Sequence, residues 1–394
     1  MFLKEKIFIG VTLLATFPWI LSLLLNFHHS PHIQALISGI AVVSAAFLLS
    51  WAAETAEKDL PRSLSLAVVA LLAVLPEYAV DLYFTWMAGK VGGEYIHYAA
   101  ANMTGANRLL LGIGWSFIAI FAALKFRKRE LVLDEGIRLE FFILLVASIY
   151  CFLIPLKSEI SILDSFVLLL IYICYIYIAT KAHREEFEPV GVPAYLCCFS
   201  ATKRRFSVAL LFLFSAFIIL ISVEAFAEGL VKTAENFGID KFLMVQWIAP
   251  LASESPEFIV AIYFIRRFRT TASFNTLVSS KVNQWTLLVG CLAIVYSISL
   301  GHLSSLPLDD RQREEFLLTA AQSLLGVAII INLRFSIFEA LTLLILFLAQ
   351  FFYQSVEMRY ILSFVYVLLA IPQLIAHRGE IIRSYYYVLG LLRR

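Results

Sequence analysis

Apolar stretches of about 20 residues recur along the whole chain, near 6–26, 33–56, 63–88, 95–124, 139–156, 160–180, 206–231, 240–265, 272–298, 315–333, 336–354 and 358–376. At a helical rise of about 1.5 Å per residue, each is long enough for the roughly 30 Å hydrocarbon core of a bilayer. The pattern predicts an all-α membrane protein of about twelve transmembrane helices. The start, MFLKEK and then some twenty apolar residues, is too long for a signal-peptide core. It also lacks a small-residue cleavage site before NFHHSPH, so it reads as a retained helix.

Charge sorts the connectors. Alternate threading of the spans puts KEK, EKDLPR, KFRKRE, the polar 181–205 loop, RRFR at 266–269, Arg334 and the HRGEIIR tail on one side. About 22 of the 31 Lys and Arg fall there and about 7 on the other side, while Arg108 and Lys281 lie within spans. The positive-inside rule makes that side cytoplasmic, with both termini on it. The expectation is a multi-pass protein of the cell membrane whose surroundings are the lipid bilayer. Composition agrees: 61% hydrophobic, 15% charged and a mean hydropathy of +0.85 are far from a soluble domain. A net charge of +2 gives no basis for a nucleic-acid partner. The five cysteines show no CxxC spacing and mostly lie in apolar runs, so neither a disulfide nor a zinc site is expected.

Two spans carry acid where lipid-facing helices do not. LPEYAVDLYF at 75–84 and SPEFIVAIYF at 255–264 share Pro, Glu, Val, Tyr and Phe at an offset of 180 residues. TAEKDLPR at 55–62 matches TAENFGID at 233–240, and AANMTGAN at 100–107 matches SFNTLVSS at 273–280, in the same order. With five core spans per half, an odd number, the second copy enters the membrane upside down. Such inverted repeats are the architecture of secondary transporters. The expected organisation is a peripheral N-terminal helix at 1–32, a first repeat at 33–180, a cytoplasmic connector at 181–205, a second repeat at 206–354, and a final transmembrane helix with a cytoplasmic tail at 355–394.

A charged carboxylate at a helix centre costs roughly 2.5–3.5 kcal/mol on insertion scales, so such groups face a cavity or a partner. Glu77 and Glu257 are candidates on that ground. Pro76 and Pro256 lack an N–H, which frees the carbonyls of Leu72 and Ala252 beside the carboxylates. Hard cations take such oxygens, calcium about 6 to 8 of them. The neighbouring helices add Asn102, Asn107, Asn275, Ser279 and Asn283, and Ser253 shares a helix face with Glu257. The structural alternative is a Pro-Glu kink whose carboxylate pairs with a basic residue; the recurrence in two related copies favours a cation site.

These motifs resemble the cation/calcium antiporter superfamily, of which the sodium/calcium exchangers are one branch. Its two inverted repeats each hold a G-T-S-x-P-E-type and a G-N-x-x-G-S-N-x-x-N-type stretch. Here they read LAVLPEY and ASESPEF, then ANMTGANRLL and FNTLVSSKVN. AEGLVKTAENFGID is similar to the family's acidic-Gly helix end before the motif helix. The resemblance follows about ten of the twelve spans by order, with motif identity confined to some fifty residues. It implies that Glu77 and Glu257 are central calcium ligands, helped by Ser253, Ser279 and Asn283. It also implies an antiporter whose inorganic cations, Ca2+ against Na+ or H+, are cargo, with no resident cofactor and no enzymatic activity.

Departures accompany the match. Ala73, Val74, Ala106 and Leu110 stand where the first copy of the motif has polar ligands, and Glu254 adds an acid in the second. Arg108 and Lys281 occupy equivalent places, turned about 200° from Ala106 and Ser279. One reading has them anchoring carboxylates such as Asp81, Glu224 or Glu228; the other has a fixed charge standing in for bound sodium.

Other readings stay open: a monovalent cation/proton antiporter, a non-transporting relative, or an intramembrane enzyme using His97 or His302. No HExxH, GxSxG or GxxxxGK[ST] supports a protease, hydrolase or ATP-driven pump. Glu224 and Glu228 line either an access path or a solvated helix end. His28, His29 and His32 sit in a connector beside a proline and lack a fourth metal ligand.

Overall fold

The computed structural model describes residues 2–59, 74–182 and 189–393. Among them, eight helices are long and apolar enough to cross a membrane, or nine if one bent pair counts as a single span. The expected span at 63–88 lies partly outside the described residues; from Leu75 on it is helical. The chain divides into two compact units, Met1–Tyr83 with Arg184–Pro256, and Phe84–His183 with Glu257–Arg394. These units cut across the sequence repeats.

In the first unit, α1 (Leu3–Leu24) is peripheral, with only Thr16, Trp19 and Ser22 buried. The packing centre is α2 (Pro31–Ala56) against the helix Ala201–Phe237, whose 37 residues exceed the length needed to span a bilayer. In lipid, apolar surface by itself does not drive helices together, so close approach through small residues must supply the packing energy. The sequence of α2 fits that demand, since its buried residues are mainly Ala, Ser and Gly. A Cβ on Gly229 would come within 2.8 Å of the Ala35 backbone nitrogen, and one on Gly39 within 2.9 Å of the Phe226 ring. Trp19 closes this core over Ala41, Ala45, Leu49, Ile218 and Ile219, and its indole N–H donates to the Ile221 carbonyl at 3.1 Å. At the other end Arg204 grips Asp59 through two bonds of 2.7 Å.

The remaining elements, continuing the count in chain order, are α3 (Leu75–Val91), α4 (Glu94–Leu109), α5 (Ser116–Phe126), β1 (Glu130–Val132), α6 (Arg138–Cys151), α7 (Leu153–Lys157), β2 (Glu159–Ile160) and α8 (Ile162–Ala179). A short α9 (Val192–Cys197) interrupts the connector, followed by α10 (Ala201–Phe237), α11 (Lys241–Ser253), α12 (Ser255–Arg266), α13 (Thr270–Asn283) and α14 (Val289–Leu300). Last come β3 (Leu306–Pro307), α15 (Asp310–Ile330), β4 (Arg334–Ser336), α16 (Ile337–Phe352), α17 (Val356–Ala376) and α18 (Arg378–Leu392).

The second unit is held by two small crosswise sheets. β1 pairs antiparallel with β4, Leu131 opposite Phe335, and β2 pairs antiparallel with β3, Ile160 opposite Leu306. α6 and α7 run from β1 to β2, whereas α15 runs from β3 to β4, so α6 and α15 are antiparallel. Trp115, Phe274 and Phe335 pack in succession, the first pair tilted and the second edge-to-face, with centroids 5.4 and 5.6 Å apart. The C-terminal tail, expected as a cytoplasmic extension, forms α18 and docks through Arg138, which pairs with Glu380 at 2.8 Å and also with Glu135.

Candidate functional site

The Pro-Glu motifs start helices. α3 begins at Leu75 and α12 at Ser255, which places Glu77 and Glu257 in their first turns. The stretch 240–265, expected as one span, is two helices meeting at Glu254 with a bend of 48°. The cause is local: Pro250 and Pro256 each remove an N–H from the ladder. The carbonyl that Pro256 frees, that of Ala252, accepts the Ser255 hydroxyl at 2.9 Å. It is therefore satisfied within the chain, unlike the open ligand read from the sequence; Leu72 lies outside the described residues.

Within the first unit, Glu77 is 4% exposed and Asp81 is fully buried one turn further along α3. Ser253 and Glu254 are buried at the bend. The Ser253 hydroxyl donates back to the carbonyls of Ala249 and Pro250, 3.3 Å each. Glu224 is exposed, while Glu228 accepts from the Tyr83 hydroxyl at 3.1 Å and faces Lys232 at 3.9 Å.

Within the second unit, Glu257 is half-buried, and one of its carboxylate oxygens is buried with no hydrogen bond among the described residues. Asn102 is fully buried on α4, and among the described residues neither its amide oxygen nor its nitrogen has a hydrogen-bond partner. Leaving such a group unmet costs about 1–3 kcal/mol, so it marks a position built for something else to meet. On α13, Asn275 is exposed, Ser279 half-buried and Asn283 buried. At i, i+4 and i+8 they form one polar stripe that deepens along the helix.

Asn107 is engaged differently. Its amide N–H donates to the Met103 carbonyl at 2.9 Å, and its side-chain and backbone oxygens accept from Lys281 Nζ at 2.8 and 3.1 Å. Arg108 pairs with Glu315 at 2.5 Å, and Glu315 and Glu314 face Arg359 at 3.6 and 2.9 Å. All four of these charged residues are buried. Sequence reasoning missed Glu314, Glu315 and Arg359 because they sit at span ends, where charges ordinarily meet water. Within this unit Arg108 thus anchors a carboxylate, Glu315, and Lys281 reaches Asn107.

A second feature invisible in the sequence lies just downstream. Each polar helix runs into a π-helical turn, Leu110–Trp115 after α4 and Gln284–Leu288 after α13. Such turns shift the hydrogen-bond ladder by one residue, redirect side chains and recur at functional sites. Their matching positions in the two sequence copies are a structural counterpart of the repeat. His97 faces Asp309 at 3.0 Å and contacts Gln312 at the start of α15, while His302 is exposed. Among the described residues no cluster of three or more His, Cys, Asp or Glu is arranged to hold a metal ion.

Apolar spans with buried carboxylates, amides and π-turns at repeat-equivalent positions define the class as a multi-pass membrane transporter. The profile of the sodium/calcium exchanger protein family matches residues 30–181 and 207–356, so the chain belongs to that family, within the cation/calcium antiporter superfamily. It is similar to the crystal structure of an H+/Ca2+ exchanger, CAX, at 60% identity and a TM-score of 0.97 over 100% of both chains. It also resembles the Ca2+/H+ antiporter protein YfkE, at 19% identity and a TM-score of 0.61 over 92% of this chain and 100% of that one. The sodium-calcium exchanger NCX_Mj, soaked with Na+ and Sr2+, matches at 17% identity and a TM-score of 0.53 over 82% and 96%. The last two likenesses bear on the fold alone. No curated protein matches the chain.

Proposed function

We propose that this protein is a secondary-active antiporter that moves Ca2+ against H+ by alternating access, with Glu77 and Glu257 carrying the divalent cation. The observation that carries the reading is the twofold Pro-Glu start of a helix within an apolar stretch, in a chain 60% identical over its full length to a solved H+/Ca2+ exchanger. Carboxylate and carbonyl oxygens are the ligands a hard cation takes. As further oxygen ligands we assign Ser253 and Glu254 in the first unit and Asn102, Asn275, Ser279 and Asn283 in the second. Asn107 lends its oxygens to Lys281.

The crosswise pairing of β1 with β4 and β2 with β3 supports the inverted repeat. The strand before α6 meets the strand before α16, one element later in the second copy, as it does when the copies run in opposite directions. About twelve spans with cytoplasmic termini in the cell membrane accord with that arrangement and with the charge sorting.

The test is calcium-45 uptake into proteoliposomes under an imposed pH gradient and, separately, a sodium gradient. Uptake driven by the pH gradient and lost in Glu77→Gln and in Glu257→Gln is expected. Flux of a monovalent cation in its place would make the protein a monovalent cation/proton antiporter, and no flux of any cation would remove the transport reading.

A further inference from the structure

The carboxylates assigned to the cation do not exhaust the buried acids of the second unit. Glu140, in the first turn of α6 and 8% exposed, accepts from the Tyr175 hydroxyl on α8 at 3.3 Å. The same hydroxyl is hydrogen-bonded to the side chain of Ser279, the middle residue of the polar stripe on α13. Tyr175 is buried, and its ring packs against that of Tyr172 with centroids 6.2 Å apart. One buried phenol therefore joins an assigned calcium ligand to a carboxylate on a third helix.

The three residues lie at successive depths. α6 and α13 start, and α8 ends, beside the basic connectors KFRKRE, RRFR and 181–205. At about 1.5 Å per residue, Ser279 lies about 14 Å into α13, Tyr175 about 6 Å before the end of α8 and Glu140 about 3 Å into α6. A hydroxyl donates and accepts at once, so two hydroxyls in series that end on a carboxylate can conduct a proton.

We propose that Ser279, Tyr175 and Glu140 form a proton relay between the cation site and the side of the membrane that holds the basic connectors. A proton displaced from the site by calcium bonds to Ser279 Oγ, whose own proton passes to the Tyr175 oxygen. Tyr175 in turn gives its proton to Glu140 Oε1. Each hydroxyl breaks one O–H bond and forms one, so both stay neutral, and Glu140 releases the net proton to water at the end of α6. The reverse sequence brings a proton in. The relay deepens the proposed Ca2+/H+ antiport and rests on it. It assigns Tyr175 and Glu140 to proton movement alone, apart from the ligands that hold calcium.

The experiment separates the two halves of the exchange in proteoliposomes of the full-length protein. Wild type, Tyr175→Phe and Glu140→Gln are assayed for calcium-45 uptake driven by a pH gradient. They are then assayed for exchange of calcium-45 against unlabelled calcium at equal pH, which needs no net proton transfer. The expected result is a fall of roughly tenfold or more in pH-driven uptake for both variants, with calcium self-exchange near wild type. PH-driven uptake unchanged in Tyr175→Phe overturns the relay. So does a parallel loss of both activities, which is what a purely structural or calcium-binding role gives. Tyr175→Phe removes a single oxygen, so it decides the matter by itself if Glu140→Gln does not fold. A wild type that takes up no calcium under a pH gradient removes the antiport reading, a result seen before any variant is compared.

Discussion

Arg108 and Glu315 form an ion pair of 2.5 Å in which both side chains are almost wholly withdrawn from solvent. Glu315 is shared with Arg359, which also binds Glu314, so two positive and two negative charges cancel inside the helix packing. Removing one member leaves an uncompensated buried charge, a loss of about 3–5 kcal/mol, whereas replacing both members of a pair with apolar groups is often close to neutral. Glu315→Gln should therefore lower the unfolding midpoint far more than the double change Arg108→Met with Glu315→Leu. Equal losses in both would show that the pair does not act as a unit.

Glu77→Gln and Glu257→Gln keep the shape of the side chain and remove its charge. A charge-assisted ligand contributes about 1.5–3 kcal/mol, so each change should cut calcium flux by roughly tenfold or more. Glu224→Gln, on an exposed position of α10, should stay near wild type. Calcium-45 uptake on matched protein amounts reads the difference, and indifference of flux to both neutralised glutamates would end the ligand assignment.

Gly229 lies so close to Ala35 that a larger side chain must push α2 and α10 apart. Gly229→Leu is expected to cost about 1–3 kcal/mol through overpacking, visible as a lower midpoint in detergent. Gly10, with nothing near its Cβ position, is the control: Gly10→Leu should change the midpoint little.

Asp59 sits beyond the end of α2, and its hydrogen bonds with Arg204 hold its carboxyl below the usual carboxylate range. A folded-state value below the unfolded one, near 3.9, adds stability that is fully present above about pH 4. That stability fades as the pH falls through the lower folded value. Asp59→Asn should be less stable than wild type at pH 7, by about 1–2 kcal/mol for a charge-assisted bond, with the gap closing below about pH 3. A gap independent of pH would point to packing instead of charge.

Much of this protein is legible from its order of residues. Bilayer thickness imposes a length of about 20 apolar residues on every span, so membrane class and most helices follow from local pattern, and the sorting of Lys and Arg supplies an expected topology. Glu77 and Glu257 stood out as candidates in the same way, because an acid in an apolar run is costly unless it meets a partner or a cavity. Other features depend on what packing brings close. That Pro256 starts a helix and that the Ala252 carbonyl is met by Ser255 follow from backbone geometry. The π-turns after Leu109 and Asn283 carry no residue signature. Glu315 and Arg359 look like ordinary span-end charges until Arg108 reaches them. Lys281 and Arg108 match in sequence, yet one holds Asn107 and the other Glu315. Hydropathy acts on each segment separately against lipid, and so can be read along the chain; a buried charge takes its partner from far along it, as Arg108 does from Glu315 and Arg138 from Glu380, which only the tertiary fold selects.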